Sequence, residues 1–176
     1  MGPRRRIGPA LAGVLEGLKL ARREWAAAAS DPPRGRWVPV GLVSALQDAL
    51  VAALSAYDSA RDEDVADPSN PEHLAPVTLL LRRARSQEYL DLPERLELSG
   101  AGHKAVETVI AARNGVLHGS GEGAGALIAA DVRAVLGVLA HLCRDHPAFP
   151  AEGNAVMLAL IADQISAFGR ELAEAG

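Results

Sequence analysis

The sequence predicts an all-α fold, an antiparallel bundle of about six helices in one domain that spans residues 1–176. Its long apolar segments repeat at three- and four-residue intervals, which is the period of an amphipathic α-helix. Alanine and leucine, which favour helices, are abundant, whereas aromatic residues make up only 3% of the chain. Runs of alternating β-branched and aromatic residues, which are typical of strands, are missing. We therefore expect no β-sheet, and helices joined by short connections.

Breaker and capping residues delimit the first three helices, which are predicted at about 9–30, 40–61 and 71–89. Asp31-Pro32-Pro33 ends the first helix, and Asn70 followed by Pro71 has the pattern of an N-cap for the third. Pro76 falls in the second turn of that third helix, where it either kinks the helix or delays its start. Residues 1–7 contain three consecutive arginines and are predicted to be a flexible basic tail.

Glycine and proline residues also mark the ends of the predicted helices in the second half of the chain. Residues 90–98 contain a proline and are predicted to be a loop, and Ser99-Gly100 opens the fourth helix. That helix runs into segment 119–125, where four glycines in seven residues indicate sharp backbone turns. The fifth helix is predicted over 126–144, and Asn154 is the predicted N-cap of the sixth. Alanine beside the leucine stripes of the second and fifth helices leaves a small-residue face for packing against another helix or another chain.

The formal net charge of −4 argues against a protein that coats nucleic acid without sequence preference, because such proteins are usually basic. Any contact with RNA then depends on a local basic patch. Arg82, Arg83 and Arg85 form a candidate patch on the predicted third helix. A solvated helix face is the simpler interpretation of these arginines, and a strip that follows an RNA backbone is the functional one.

The number and spacing of the cysteine and histidine residues limit which cellular compartment and which cofactors we expect. The single Cys143 excludes an internal disulfide framework, and its apolar helical surroundings predict a buried thiol. A cytoplasmic location is the natural expectation, and without eighteen consecutive apolar residues we expect no transmembrane helix. His141 and Cys143 lack further ligands at ordinary spacing, so we predict neither a metal nor a cofactor. His73 and His103 are predicted to be exposed in early helical turns.

A polar motif lies where the fourth helix meets the glycine-rich segment. Arg113 and Asn114 interrupt an alanine- and valine-rich surface, and His118 follows the arginine after four intervening residues. A guanidinium can hold a phosphate through two parallel hydrogen bonds and stabilise charge that develops on it. An imidazole can transfer a proton near neutral pH. Cation, amide and imidazole together therefore suit the chemistry of a phosphodiester.

Arg113, Asn114 and His118 resemble the signature of the HEPN superfamily, small helical domains marked by an arginine, four to six intervening residues and a histidine. By pattern the resemblance covers about residues 40–145. It implies a homodimer in which the two motifs line a shared cleft, and metal-independent RNA cleavage by attack of the 2′-hydroxyl on the adjacent phosphate. His118 would then be the general base or acid, Arg113 would stabilise the transition state, and Asn114 would orient the phosphate or the imidazole. A toxin or phage-defence effector with a cognate antitoxin or other inhibitor protein is the implied setting.

Two other hypotheses remain open for the same residues. The cleft of a HEPN-like domain can be non-catalytic and bind a nucleotide or a partner protein. Alternatively, the chain is a helical scaffold in which Arg113 offsets the helix dipole and His118 binds terminal carbonyls before a left-handed Gly119. Exposure of Arg113 and His118 in one cleft would separate the first two hypotheses from the third.

Overall fold

The computed structural model of the chain describes residues 2–119, 127–144, 149 and 151–174, with the backbone alone at 151 and 152. Within these ranges the chain forms six α-helices and one two-stranded antiparallel hairpin, which confirms the prediction of an all-α helical bundle. The elements are α1 (Ile7–Ala28), α2 (Val38–Leu54), β1 (Ala66–Asp67), β2 (Asn70–Leu74), α3 (Val77–Ala84), α4 (Gly100–His118), α5 (Ala129–Leu142) and α6 (Ala151–Glu174). Three short 3-10 helices, Pro3–Arg6, Pro32–Trp37 and Asp62–Asp64, precede α1, α2 and β1.

Helix α2 is the centre of the bundle and packs against α1, α3, α4 and α5. It crosses α1 at small residues, where the backbones approach closely. A Cβ atom on Gly17 would lie 2.7 Å from the carbonyl oxygen of Gly41, and one on Gly41 would lie 2.6 Å from that of Gly17. The predicted alanine face of α2 packs against helices of the same chain, since Ala45 and Ala49 are buried within it.

The helical segment Pro32–Leu54, which joins a 3-10 helix to α2, is long and apolar enough to cross a membrane, with a mean hydropathy of 1.6. Inside the protein, 72% of that apolar window is buried, as in the core helix of a bundle.

Helix α6 closes the bundle against α1 through one polar and one aromatic contact. Arg22 on α1 lies 2.6 Å from the Glu171 carboxylate and donates to the side-chain oxygen of Gln164. Beside this ion pair, Trp25 packs edge-to-face on Phe168, with ring centroids 6.3 Å apart. The Trp25 ring is thereby fixed at the end of α1.

The segment before α3 differs from the prediction. Residues 70–74 form strand β2, which pairs with β1, so the expectation of no sheet is wrong there and Asn70 is not a helix cap. Helix α3 begins only at Val77, directly after Pro76. A proline disfavours helical geometry at the residue before it, so Ala75 stays outside the helix. Of the two effects predicted for Pro76, a kink or a later start of the helix, the structure shows the later start.

The ends of two helices also differ from the prediction. In the N-terminal segment, residues 3–6 form a 3-10 helix, and Arg4 and Arg6 pair with Asp58 and Asp62, while the flexibility of this tail stays a prediction. Helix α2 ends at Leu54 rather than near residue 61. Helix α6 begins at Ala151, which places Asn154 inside it. Most of the predicted glycine-rich segment 119–125 lies outside the described residues.

Candidate functional site at the end of helix α4

Capping residues at both ends fix helix α4, which carries the predicted motif. The Ser99 hydroxyl accepts a hydrogen bond from the backbone N–H of Gly102 at 3.1 Å, as predicted for the helix start. Gly119 has a φ of 68°, the left-handed conformation that glycine adopts most readily after a helix. His118 is therefore the last helical residue, and its side chain is exposed.

Arg113 and Asn114 contact each other directly. The Arg113 Nη1 atom donates a hydrogen bond of 3.0 Å to Asn114 Oδ1. Asn114 is exposed and Arg113 is half-buried. The amide oxygen thus holds one edge of the guanidinium and restricts its direction, while the five N–H donors of arginine leave others for a ligand.

Helical geometry separates the arginine from the histidine. Each residue turns an α-helix by about 100°, so Arg113 and His118 project about 140° apart around the axis. Asn114 and His118 are only about 40° apart and share the outer face. Arg113 instead continues the side of the buried Val106 and Ile110. Within one chain, Asn114 and His118 therefore share one face of α4. The Arg113 side chain starts from a neighbouring face and turns its guanidinium to Asn114.

Two large apolar side chains are exposed beside the motif. Leu117 is 50% exposed one turn after Arg113, and Ile128, which precedes α5, is 61% exposed. Because α4 and α5 pack together and are adjacent in the chain, both residues lie at the same end of this helix pair. We call Leu117 and Ile128 the α4–α5 end patch. A partner molecule at this end of the helix pair would cover both side chains.

The predicted basic strip on α3 is divided by burial. Arg83 is only 8% exposed, and its Nη1 atom donates to the carbonyl oxygens of Ala66 (2.9 Å) and Asp64 (3.2 Å). Its guanidinium also lies over the Tyr89 ring. Arg83 therefore anchors the hairpin segment, which corrects its assignment to an RNA-binding strip. Arg82 and Arg85 remain exposed.

Three further histidines and the cysteine lie in the described part of the chain, outside the motif. His141 Nε2 lies 2.8 Å from the carbonyl oxygen of Glu94 in the loop before α4. Cys143 is buried as predicted, and burial raises the pKa of its thiol to about 12. His73 lies on strand β2, not in a helical turn, and His103 Nε2 is 3.3 Å from Glu107. In the described part of the chain, no three His, Cys, Asp or Glu side chains are grouped to hold a metal ion.

Asp48 is a half-buried polar residue that the sequence analysis missed. It lies on α2 against Gly13 of α1, where an added Cβ would approach its Oδ2 atom to 2.1 Å. It lines a cavity of about 370 Å³ together with Arg5, Arg6 and His73. Burial raises the pKa of the Asp48 carboxyl. Its neighbours come from four separate parts of the chain, so periodicity along α2 gives no sign of this site.

No protein-family model matches the chain, and the comparisons with curated proteins and with solved structures gave no match either. The HEPN resemblance accordingly depends on Arg113, Asn114 and His118 and on their helical setting.

Proposed function

We propose that this protein is a HEPN-like, metal-independent endoribonuclease that acts as a homodimer in the cytoplasm, as a toxin or phage-defence effector under the control of an inhibitor protein. The observation that carries the proposal is the capped end of α4. There, Arg113 is held by Asn114, and His118 is exposed one residue before Gly119. A fixed cation and a titratable imidazole at one open helix end suit the binding and cleavage of a phosphodiester.

Each residue of the motif has a separate task in the reaction. His118 accepts the proton of the ribose 2′-hydroxyl, whose oxygen attacks the adjacent phosphorus. The bond from phosphorus to the 5′-oxygen breaks, and that oxygen takes a proton from a second imidazole, leaving a 2′,3′-cyclic phosphate. Arg113 neutralises the charge that develops on the phosphate oxygens. Asn114 positions the Arg113 guanidinium through their hydrogen bond.

The divergence of the two side chains indicates a site built from two protomers. Because Arg113 and His118 project about 140° apart on α4, one phosphate is reached more readily by Arg113 of one protomer and His118 of its partner. A two-fold dimer then has two equivalent sites close together and supplies one imidazole as base and one as acid. The exposed Leu117 lies between the two side chains, where a partner would cover it.

The alternative is a non-catalytic module that binds a nucleotide or a partner protein at the same helix end. This alternative fits a monomer, because binding at the helix end needs no second imidazole from a partner. Cleavage of RNA separates the two functions.

Cleavage of single-stranded RNA in the presence of EDTA tests the proposal. His118→Ala and Arg113→Ala should each reduce the cleavage rate about a hundredfold or more, because each removes a group that acts in the transition state. Arg113→Lys should recover only part of the rate, since an ammonium lacks the two-pronged geometry of the guanidinium. Products should end in a 2′,3′-cyclic phosphate.

Matched control variants are available on the same protein. His73→Ala removes an exposed histidine on β2, and Arg170→Ala removes an exposed arginine on α6, so both should cleave RNA like the wild type. A wild-type protein that leaves all RNA uncut contradicts the nuclease proposal. Cleavage that survives both His118→Ala and Arg113→Ala contradicts the assignment of the site.

A further inference from the structure

A cavity of about 460 Å³ opens on the flank of α4 that faces away from His118. Its walls come from the end of α1, the Pro32–Trp37 helix, α4 and the start of the segment before α5. The residues that matter here are Trp25, Pro33, Arg36, Ala112, Val116 and Leu127. This volume lies within the roughly 300–1,000 Å³ of small-molecule sites, and the walls are mainly apolar.

Both tryptophans of the chain lie at this corner, although aromatic residues are only 3% of the sequence. Trp25 lines the cavity, and its edge-to-face contact with Phe168 keeps the ring in place. Trp37, two residues before the buried Pro39 of α2, is 38% exposed. A rigid aromatic wall and a second exposed indole provide surfaces on which planar rings stack.

The cavity also has a cation that is available to a ligand. Arg36 is exposed, stacks over the Trp37 ring at 5.2 Å and makes no ion pair with another described residue. The neighbouring Arg34 differs, because it is bound to the Glu24 carboxylate through two hydrogen bonds of 2.8 Å. The buried Glu24 carboxylate is therefore already paired with Arg34. Arg36 is then available to pair with an anionic group of a ligand.

The cavity lies on the flank of α4 opposite to His118. Ala112 and Val116 project about 100° and 60° from Arg113, on the side opposite to His118. A ligand in the cavity therefore lies away from the His118 imidazole of the same chain, and the Arg113 guanidinium is turned to Asn114 on the other flank. Aromatic rings and an arginine without an ion pair beside them fit the alternating bases and phosphates of single-stranded nucleic acid.

We propose that this cavity is a nucleobase subsite, in which a base of single-stranded RNA contacts Trp25 while a flanking phosphate lies on Arg36. The inference rests on the proposed function and adds to it where the substrate is held. The subsite then holds a nucleotide of the RNA away from the His118 imidazole of the same chain. Stacking on aromatic rings tolerates every base, so the subsite favours unpaired RNA over duplex more than it favours one sequence.

Tryptophan fluorescence with an uncleavable RNA tests the subsite without any cleavage. The probe is a 2′-O-methyl hexanucleotide, which lacks the attacking hydroxyl and stays intact even in the wild-type enzyme. We expect it to quench tryptophan emission at saturation, with an affinity that decreases as salt increases because phosphates are bound. Trp37→Phe should preserve part of the quenching, since Trp25 is then the single reporter and lines the cavity.

Two substitutions should weaken binding by about tenfold or more, each for its own reason. Val116→Phe fills the cavity, and Arg36→Gln removes the free cation without changing its walls; Arg170→Gln on α6 is the control and should bind like the wild type. If Val116→Phe loses its helical circular dichroism, the affinity of Arg36→Gln for the probe is the measurement that tests the subsite. A wild-type protein whose emission does not respond to the probe overturns the inference, as does unchanged binding by the folded variants.

The outcomes also distinguish the subsite from the proposed function. Cleavage with unchanged rates in Val116→Phe and Arg36→Gln retains the nuclease and rejects the subsite. Quenching by the hexanucleotide in a protein that cleaves no RNA retains the subsite and rejects the nuclease. Binding of decanoate but not of the hexanucleotide would identify the cavity as a site for apolar carboxylates, which also overturns the inference.

Discussion

Two acidic residues of the first helix pair have opposite surroundings. Glu24 is buried at the end of α1, where Arg34 forms two hydrogen bonds with it and Arg23 forms a third. The hydrogen bonds from Arg34, above all, lower the pKa of the Glu24 carboxyl to about 2. Burial, in contrast, raises the pKa of the Asp48 carboxyl. Ionised Glu24 therefore stabilises the fold, whereas ionised Asp48 costs stability.

Glu24→Gln and Asp48→Asn should change the melting temperature in opposite directions at pH 7. The folded pKa of Glu24 is below its ordinary value of 4.5, so its contribution is present above pH 4.5 and is lost as the pH falls towards 2. Glu24→Gln should thus lower the melting temperature at pH 7, with a difference that disappears near pH 2. The folded pKa of Asp48 is raised, so its penalty is present at pH 7 and absent below its ordinary value of 3.8.

Asp48→Asn should therefore raise the melting temperature at pH 7 and leave it unchanged near pH 3. Thermal unfolding followed by circular dichroism over this pH range measures both variants. Equal and pH-independent shifts for the two variants would show that neither carboxyl has the surroundings described for it.

At the scale of secondary structure, the contact between α1 and α2 depends on the absence of side chains. A Cβ on Gly17 would meet backbone atoms of α2, the Gly41 oxygen at 2.7 Å and the Ala45 nitrogen at 2.8 Å. Backbone atoms cannot turn aside as a flexible side chain does, so the two helices must separate to admit even one methyl group. The position of α2 as the central helix makes this separation costly for the whole core.

Gly17→Ala should reduce the free energy of unfolding by about 1–3 kcal/mol, measured by urea denaturation. Gly137→Ala is the matched control, because Gly137 lies within α5 and a Cβ there meets nothing within 4 Å. That substitution should raise the free energy of unfolding by roughly 0.5–1 kcal/mol, since alanine favours a helix over glycine. Equal effects of the two alanines would contradict the close approach of α1 and α2.

At the scale of the whole molecule, four of the exposed apolar side chains lie in pairs on two separate surfaces, and Trp37, Leu74 and Leu92 are exposed elsewhere in the described part of the chain. One is the α4–α5 end patch beside the motif. The other is on α6, where Val156 is 72% exposed and Leu160 follows one turn later. The composite site requires the first surface to be the dimer interface, because only that surface brings Arg113 towards His118 of the partner subunit.

Leu117→Asp should therefore convert a dimer to a monomer in sedimentation analysis and abolish cleavage, because a buried carboxylate in the interface lacks a partner. Val156→Asp, the same change on α6, should leave both the dimer and the cleavage rate unchanged. A wild-type monomer at micromolar concentration, or a dimer broken only by Val156→Asp, would contradict the composite site.

The sequence by itself determined the helical class and several local features of this protein. Apolar periodicity identified the segments that become α1, α2, α4 and α5, because a 3.6-residue repeat depends only on neighbours within the same helix. For the same reason Ser99 was recognised as a cap, and the burial of Cys143 followed from the apolar stripe around it. Arg113, Asn114 and His118 were also found from local spacing, and the function assigned to them remains a proposal.

Only the tertiary structure decided the features that depend on distant residues. Residues 70–74 form a strand because β1 pairs with them, and the carbonyl oxygens of Asp64 and Ala66 in the same segment accept the hydrogen bonds of the buried Arg83. The cavity beside α4 joins residues from four separate parts of the chain, so none of its segments carries a recognisable pattern. Burial, pairing and enclosure arise between elements that are far apart in sequence, and for that physical reason periodicity along one element could not reveal them.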